Sequence, residues 1–579
     1  MAANGSVEVA PGEDRGGLPA WQSLPAMMFD RAQSWGQRPM LRFWRDGSWQ
    51  GLTWSAFARR TAALARGFRE CGVAPGERVL MVSENRPEFP IVETALMAIR
   101  AVPVPTYVTN TVADHAHVLA DSGARVAVVS SAALAARVAA AAPLERLIAM
   151  QPFAWPGLTV LPLAALIGEE RAPDDIAAEA AAIPAEALAC LIYTSGTGGA
   201  PKGVMLPHRA VLANCRGAYE VLMKLPPCPQ EVYLSFLPLS HSYEHTAGQF
   251  FMLAAGAEVA YARGVEYLAA DMLVVRPTIM TMVPRVLEVI RGRILAQLAR
   301  QAPWRQRLFE RTIALGCRRA EGEALSLPER MEDRLLGWLV RRKVLARFGG
   351  RLRAAVSGGA RLEPEVGRFF LGLGLALLQG YGQTEAGPVV AVNMPGASRI
   401  ETVGRPLEGV EVRIAEDGEI LVRGALVMLG YWGHPEETAA VMEGEWLHTG
   451  DVGVLDADGY LSITDRKKDL IVLSGGENIS PARIEGLLSA EPAIAQAVVL
   501  GDGRAALAAL VVAAEGYDEV AVAAAVSNVN MRLSVSERIR RHAVVAAFTI
   551  DNGMLTVTQK IRRHIVAREH AALLERLGA

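Results

Sequence analysis

From Trp21 onward, short apolar runs alternate with longer stretches of helical period. RVLMVS (Arg78–Ser83) predicts a buried strand and FPIVETALMAIRA (Phe89–Ala101) an amphipathic helix. VPVPTY predicts a second strand, HAHVLADSG a helix, and RVAVVSS (Arg125–Ser131) a third strand. The rhythm continues through ALACLIYTSG, EVYLSFLP and PTIMTMVP. Such a βαβα succession predicts an α/β fold with parallel sheets flanked by helices on both faces. Two regions depart from it. Residues 291–347 read as mostly helical, with PWRQRLFERTIALGCRRA and MEDRLLGWLVRRKVLARF as amphipathic segments. Near Asp465 a charged, turn-rich junction, TDRKKDLIVLSGGENIS, precedes a stretch with its own strand and helix pattern, including RAALAALVVAA. The expected organisation is a flexible tail over 1–20, a large domain over 21–464, a junction at 465–469 and a small domain over 470–579.

A length of 579 residues calls for several domains, and 51% hydrophobic with 21% charged residues argues against bulk disorder. The net charge of −2 removes a whole-chain electrostatic case for nucleic acid as a partner. Five cysteines without CxxC spacing form neither a disulfide framework nor a zinc cluster, which suits a reducing cytoplasm. The first residues lack a basic segment followed by an apolar one, and no apolar run is long enough to cross a bilayer.

Candidate chemistry begins at YTSGTGGAPKG (Tyr193–Gly203). Gly196, Gly198 and Gly199 with Thr194, Ser195 and Thr197 make a loop dense in N–H and O–H donors, and Lys202 adds a compact cation. Polyphosphate asks for that combination. Glycine content alone would fit an ordinary turn equally well. A Walker A loop is excluded, because Pro201 precedes the lysine and Gly203 follows it where Ser or Thr should hold magnesium. Further along, LLQGYGQTEAGP places Gly380 and Gly382 around Tyr381, a turn presenting an aromatic face, followed by Thr384 and Glu385 as oxygen donors of the kind magnesium prefers. VSGGARL, WLHTGDVGVLDADGYLSITDRKKD and NGMLTVTQKIRR are individually weak signals.

Taken in order, these segments resemble the adenylate-forming superfamily of acyl-CoA synthetases, luciferases and peptide-synthetase adenylation domains. Gly198 departs from the threonine often found there and removes one hydroxyl contact to phosphate. The resemblance implies a large N-terminal domain of helix-flanked sheets and a small, mobile C-terminal α+β lid. It assigns Thr194, Ser195, Gly196, Thr197, Gly198 and Lys202 to the phosphates of ATP. Gly358, Gly359, Ala360 and Tyr381 go to adenine, with Gly380 and Gly382 in the same nucleotide-binding set, and Thr384 and Glu385 to phosphate and Mg2+, with Thr194 also at the metal. Asp451 and Arg466 are assigned to ribose and Lys560 to catalysis of adenylation. Lys468 falls at the hinge of the lid, and Gly475-Gly476 at the approach of coenzyme A.

LPLSHSYEHTAGQF (Leu237–Phe250) resembles the long-chain fatty acyl-CoA synthetase branch, which places His241 at an acyl entrance and in the catalytic set. A buried core histidine is the plainer alternative. Thr246–Leu253 and Thr278–Pro284 are apolar enough to line an acyl channel, with Met280 and Met282 making its wall adaptable, and could equally be core strands. The implied reaction is ATP-dependent ligation of a fatty acid to coenzyme A through an acyl-adenylate. Rivals are a fatty acyl-AMP ligase serving a carrier protein, a medium-chain or aryl acid–CoA ligase, and a silent membrane-associated homologue. A peptide-synthetase module is not expected, since 16 residues follow Arg563. Region 291–347 holds 14 Lys and Arg against 6 Asp and Glu. A solvated helix face is its simpler reading, and docking on an anionic membrane surface the second.

Overall fold

In the computed structural model, residues 17–153, 160–194, 200–474, 477–549, 552–555 and 561–577 are described. Residues 1–16 of the expected tail lie outside them. Five strands form a fully parallel sheet in the order Val102–Thr106, Arg78–Val82, Val126–Val129, Arg146–Ala149, Val160–Pro162. Their Val-rich, non-alternating sequences are those of strands covered on both faces. A second sheet has nine strands. Its centre is parallel and runs Ala376–Gly382, Ala354–Ser357, Ile279–Met282, Val232–Ser235, Glu258–Tyr261, Pro39–Arg45. Antiparallel strands close both edges. The βαβα expectation therefore holds for both sheets.

The helix Glu88–Ala98 is buried from Phe89 to Ala98 and so is not amphipathic. Helices Leu24–Trp35, Trp54–Glu70 and Asp174–Ala181 pack on it. Its one ionisable residue past the first turn, Glu93, is hydrogen-bonded by partners inside the core rather than by water.

A five-stranded antiparallel sheet follows, in which Trp446–Leu455 pairs with Leu461–Arg466 and sets Asp451 directly opposite Arg466. Past it lies a small α+β domain. Strands Ile494–Leu500, Leu507–Ala513 and Ile539–Val544 form one sheet, and helices Pro481–Ser489 and Glu519–Met531 pack on it around Ile484, Leu488, Val499, Val511 and Val522. Residues 284–346 form the helices expected of the basic region. They are inserted between the neighbouring strands Ile279–Met282 and Ala354–Ser357.

Candidate active site

A cavity of about 1560 Å³ opens where the carboxyl ends of the parallel strands, the antiparallel sheet and the small domain converge. This is the crevice in which open α/β sheets hold ligands. Thr194, Lys202, His241, Gly358, Gly359, Gly380, Tyr381, Gly382, Thr384, Glu385, Arg466 and Lys468 all border it. Ser195, Gly196, Thr197, Gly198, Gly475, Gly476 and Lys560 lie outside the described residues. Ala360 is exposed and does not line the cavity, and Asp451 is buried behind it.

The end of the cavity at Thr194 and Lys202 is built on a hairpin. Leu188–Thr194 pairs antiparallel with Lys202–Pro207, and Thr194 faces Lys202 where the connecting loop leaves the ladder. Tyr193 steadies this stem by donating to Asp121 Oδ2 at 2.6 Å, while His434 Nε2 meets Asp121 Oδ1 at 2.8 Å. The outer edge of Lys202–Pro207 is held by residues 429–432. Trp432 N donates to Gly203 O at 2.8 Å and Met205 N to Gly430 O at 2.9 Å. That pairing delivers Tyr431, which the sequence reading missed. Lys202 Nζ stands 4.8 Å from the centroid of its ring, and its hydroxyl donates to Glu385 Oε1 at 2.9 Å. Burial and Glu385 push the Tyr431 phenol pKa up, so it stays a donor. Its sequence signal was one aromatic residue in MLGYWGH, too weak to single out.

The opposite end holds the glycines. Parallel pairing of Ala354–Ser357 with Ala376–Gly382 brings Gly358 and Gly380–Gly382 side by side. A Cβ at Gly358 would lie 3.0 Å from the Tyr243 ring, which would have to give way, and one at Gly382 only 1.8 Å from Pro388 O, a position that admits no side chain. Tyr381 donates to Asp451 Oδ2 at 2.7 Å, and Arg466 Nε to Asp451 Oδ1 at 2.9 Å. Burial opposes the Arg466 charge, but Asp451 and Asp469 together more than offset it and its pKa is raised. Between the two ends, Ser242 Oγ and Thr384 Oγ1 share a hydrogen bond of 2.7 Å, and His241 Nδ1 accepts from Tyr243 N at 3.1 Å.

The apolar wall corrects one expectation. Ile279 and Thr281 face the cavity, whereas Met280 and Met282 point to the other side of the sheet, into the core around Val232, Leu234 and Phe370. Strand alternation makes this an either-or choice. Residues 244–250 form a π-helix that continues into Phe251–Ala254, so this segment is helical rather than a core strand. Ala247, Phe251 and Met252 line the cavity from it. π-turns concentrate at functional sites. Beneath the wall, Glu244 accepts from Tyr233 (2.8 Å), Ser235 (2.6 Å) and Thr281 (2.7 Å), and Glu93 joins His245 (2.6 Å) and Gln249 (2.7 Å).

Burial pushes the Glu244 carboxyl to about 7, against the hydroxyl donors that favour its anion. The folded protein thus holds this proton more tightly than the unfolded chain. The resulting stability is fully present below about pH 4.5 and is lost as pH rises through about 7. Glu244→Gln should remove this loss, flattening the pH dependence and stabilising the protein by about 2–3 kcal/mol at pH 8 relative to pH 5. Melting curves of both proteins at the two pH values check it.

At the small domain, Lys467 binds Asp417 (2.5 Å) and Glu419 (3.0 Å), and its N–H donates to Gly450 O. Lys468 follows, exposed, in the turn at the cavity mouth. Ile561, Arg562, Arg563 and His564 border the cavity from the C-terminal segment. Arg563 is tied to Glu485, Nη2 to Oε2 at 3.0 Å. Among the described residues no group of three or more His, Cys, Asp or Glu could hold a metal. A single carboxylate, Glu385, with the Thr194 and Thr384 hydroxyls, still suits an ion that takes its remaining ligands from phosphate and water.

Residues 28–432 match the family of AMP-binding enzymes, and residues 468–577 the AMP-binding enzyme C-terminal domain. The chain is 33% identical over 562 residues to a long-chain-fatty-acid–CoA ligase, FadD15, of Mycobacterium bovis, covering 90% of both chains. It is 31% identical over 529 residues to the long-chain-fatty-acid–CoA ligase heimdall of Drosophila melanogaster, covering 84% of this chain and 76% of that one. Among solved structures, an anthranilate CoA ligase, AuaEII, in complex with anthranoyl-AMP superposes with a TM-score of 0.75 at 21% identity, over 97% of this chain and 99% of the other.

Proposed function

The chain belongs to the AMP-binding enzyme family, and from that premise we propose that it ligates a long-chain fatty acid to coenzyme A through an acyl-adenylate. The observation that carries this reading is one cavity with a polar end at the Lys202 ammonium, the Thr194 hydroxyl and the Glu385 carboxylate and an apolar wall at Ile279, Ala247 and Phe251. A fatty carboxylate and a triphosphate fit those two ends.

In the first step a carboxylate oxygen forms a bond to the α-phosphorus of ATP, the bond from that phosphorus to its bridging oxygen breaks, and pyrophosphate leaves. No protein nucleophile is needed, so catalysis rests on alignment and on stabilising charge at the α-phosphoryl oxygens. Lys202 and Lys560 are the cations for that charge. Thr194 and Glu385 would hold Mg2+, which when bound neutralises phosphate charge. Tyr431 would position both Lys202 and Glu385. Gly358, Gly380 and Gly382 leave room for a flat base against Tyr381, and Asp451 fixes Tyr381 and Arg466 for the ribose side. In the second step the thiol of coenzyme A attacks the acyl carbon, the acyl–phosphate C–O bond breaks and AMP leaves. Lys468, exposed just after the anchored Lys467, would be the pivot between the two steps. The five free cysteines fit a cytoplasmic protein, and no helix among the described residues is long and apolar enough to cross a membrane. The basic region 291–347 extends the reading to a peripheral contact with lipid.

Pyrophosphate release and coenzyme A-dependent AMP release, measured across saturated and unsaturated acids from short to long chains, test this. Activity peaking on long chains and requiring coenzyme A is expected. Release of pyrophosphate without thiol-dependent AMP would instead assign a carrier-protein acceptor. Tyr431→Phe keeps the ring beside Lys202 but removes the bond to Glu385. It should raise the Mg2+ concentration for half-maximal adenylation about 10-fold, the worth of one hydrogen bond to a charged group, with a smaller change in KM for the fatty acid. An Mg2+ titration of the variant reads it.

A further inference from the structure

The acids of the helix Leu327–Leu336 are all consumed from behind. Glu329 pairs with Arg318 (2.6 Å), Glu332 with Arg311 (2.7 Å), and Asp333 with Arg319 (2.6 Å) and the buried Arg341 (2.5 Å). Leu336 packs inward with Leu315 and Leu325, and Arg341 also binds the carbonyls of Gly372 and Thr312. One side of this helix is thereby fixed to the protein.

The other side is apolar and uncovered. Leu327, Met331, Leu335 and Trp338 are 76%, 73%, 55% and 63% exposed. Their spacing of four, four and three residues puts them in one stripe along the helix and the π-turn Gly337–Arg341 that continues it. Trp304, 62% exposed, stands at the start of the preceding helix. Arg330, Arg334, Arg342 and Lys343 are exposed in the same segment, and among the described residues none is in an ion pair with a carboxylate. A soluble surface rarely carries four large apolar side chains in register. Apolar residues including tryptophan, bordered by cations without carboxylate partners, mark a helix that lies in the headgroup region of a bilayer.

We propose that this face docks the protein on an anionic lipid surface. The charge argues for lipid over a second copy of the chain, since two such faces would oppose like charges. The inference rests on the fatty-acid reading for its purpose, because a long-chain acid partitions into bilayers. Its test does not depend on turnover. Co-sedimentation with vesicles of phosphatidylcholine and phosphatidylglycerol is expected to show binding that weakens with salt and vanishes on pure phosphatidylcholine. Arg330→Gln/Arg334→Gln/Arg342→Gln should weaken binding about 100-fold at low salt, from three cations at the surface. Met331→Ser/Trp338→Ser should also weaken it. These residues are exposed and outside the site, so both variants should keep wild-type melting and wild-type adenylation of a water-soluble short acid. Equal vesicle binding by wild type and both variants would overturn the proposal. So would a concentration-dependent dimer in sedimentation equilibrium that Met331→Ser/Trp338→Ser abolishes, which would make a second copy the occupant. Loss of long-chain activity in detergent solution with intact vesicle binding would instead count against the fatty-acid reading alone.

Discussion

Lys560→Ala is expected to slow acyl-adenylate formation about 100- to 1000-fold, the usual cost of one preorganised donor at developing charge. Thiolysis of supplied oleoyl-adenylate should change little. The asymmetry follows from the two chemistries. Adenylation builds negative charge on the α-phosphoryl oxygens while pyrophosphate departs. Thiolysis builds it on the acyl oxygen, where a cation devoted to phosphate gives no help. Lys560 immediately precedes Ile561–His564, which border the cavity, and Arg563 is fixed by Glu485 on the helix Pro481–Ser489. Rapid-quench measurement of each half-reaction separates the outcomes. Equal loss in both would mean that Lys560 serves the whole domain arrangement and not the first step.

Glu385→Gln should produce the second large effect. The amide keeps the size of the side chain and an oxygen that can accept from Tyr431, but gives up the carboxylate that lines the cavity along with Thr194 and Thr384. Adenylation is expected to fall about 100-fold, equivalent to roughly 3 kcal/mol of transition-state stabilisation. Half-saturation by Mg2+ should rise more than in Tyr431→Phe. The pair of variants divides the roles. If Glu385→Gln leaves the Mg2+ titration unchanged while Tyr431→Phe shifts it, Glu385 is an anchor and the metal is held elsewhere.

Local chemistry was legible in the chain. The segment between Tyr193 and Gly203 stands out because glycines, hydroxyl donors and a lysine all come from one short stretch. The two glycines around Tyr381 are similarly local, and their space-filling reason, Pro388 O behind Gly382, also lies within a few residues. Strands such as Arg78–Val82 and Val232–Ser235 were readable because burial on both faces leaves an unbroken apolar run.

Facing was not legible. Met280 and Ile279 are equally apolar, and alternation says only that they oppose each other. Which one meets the cavity depends on the helices that cover the far face. The helix Glu88–Ala98 was misread for the same reason, since three other helices, and not its own pattern, bury its remaining side. Nothing in the local pattern of Leu327–Leu336 says that its acids are taken up by the arginines of Pro303–Ala320.

By itself, then, the sequence determined the parallel α/β architecture and the donor-rich loop between Tyr193 and Gly203, because each is written in runs of neighbouring residues. Only the tertiary structure decided that Lys202, Glu385 and Tyr431 form one unit, and which apolar faces turn toward substrate or solvent. Those are contacts between segments far apart in the chain, and a local pattern records how apolar a residue is without recording what it will meet.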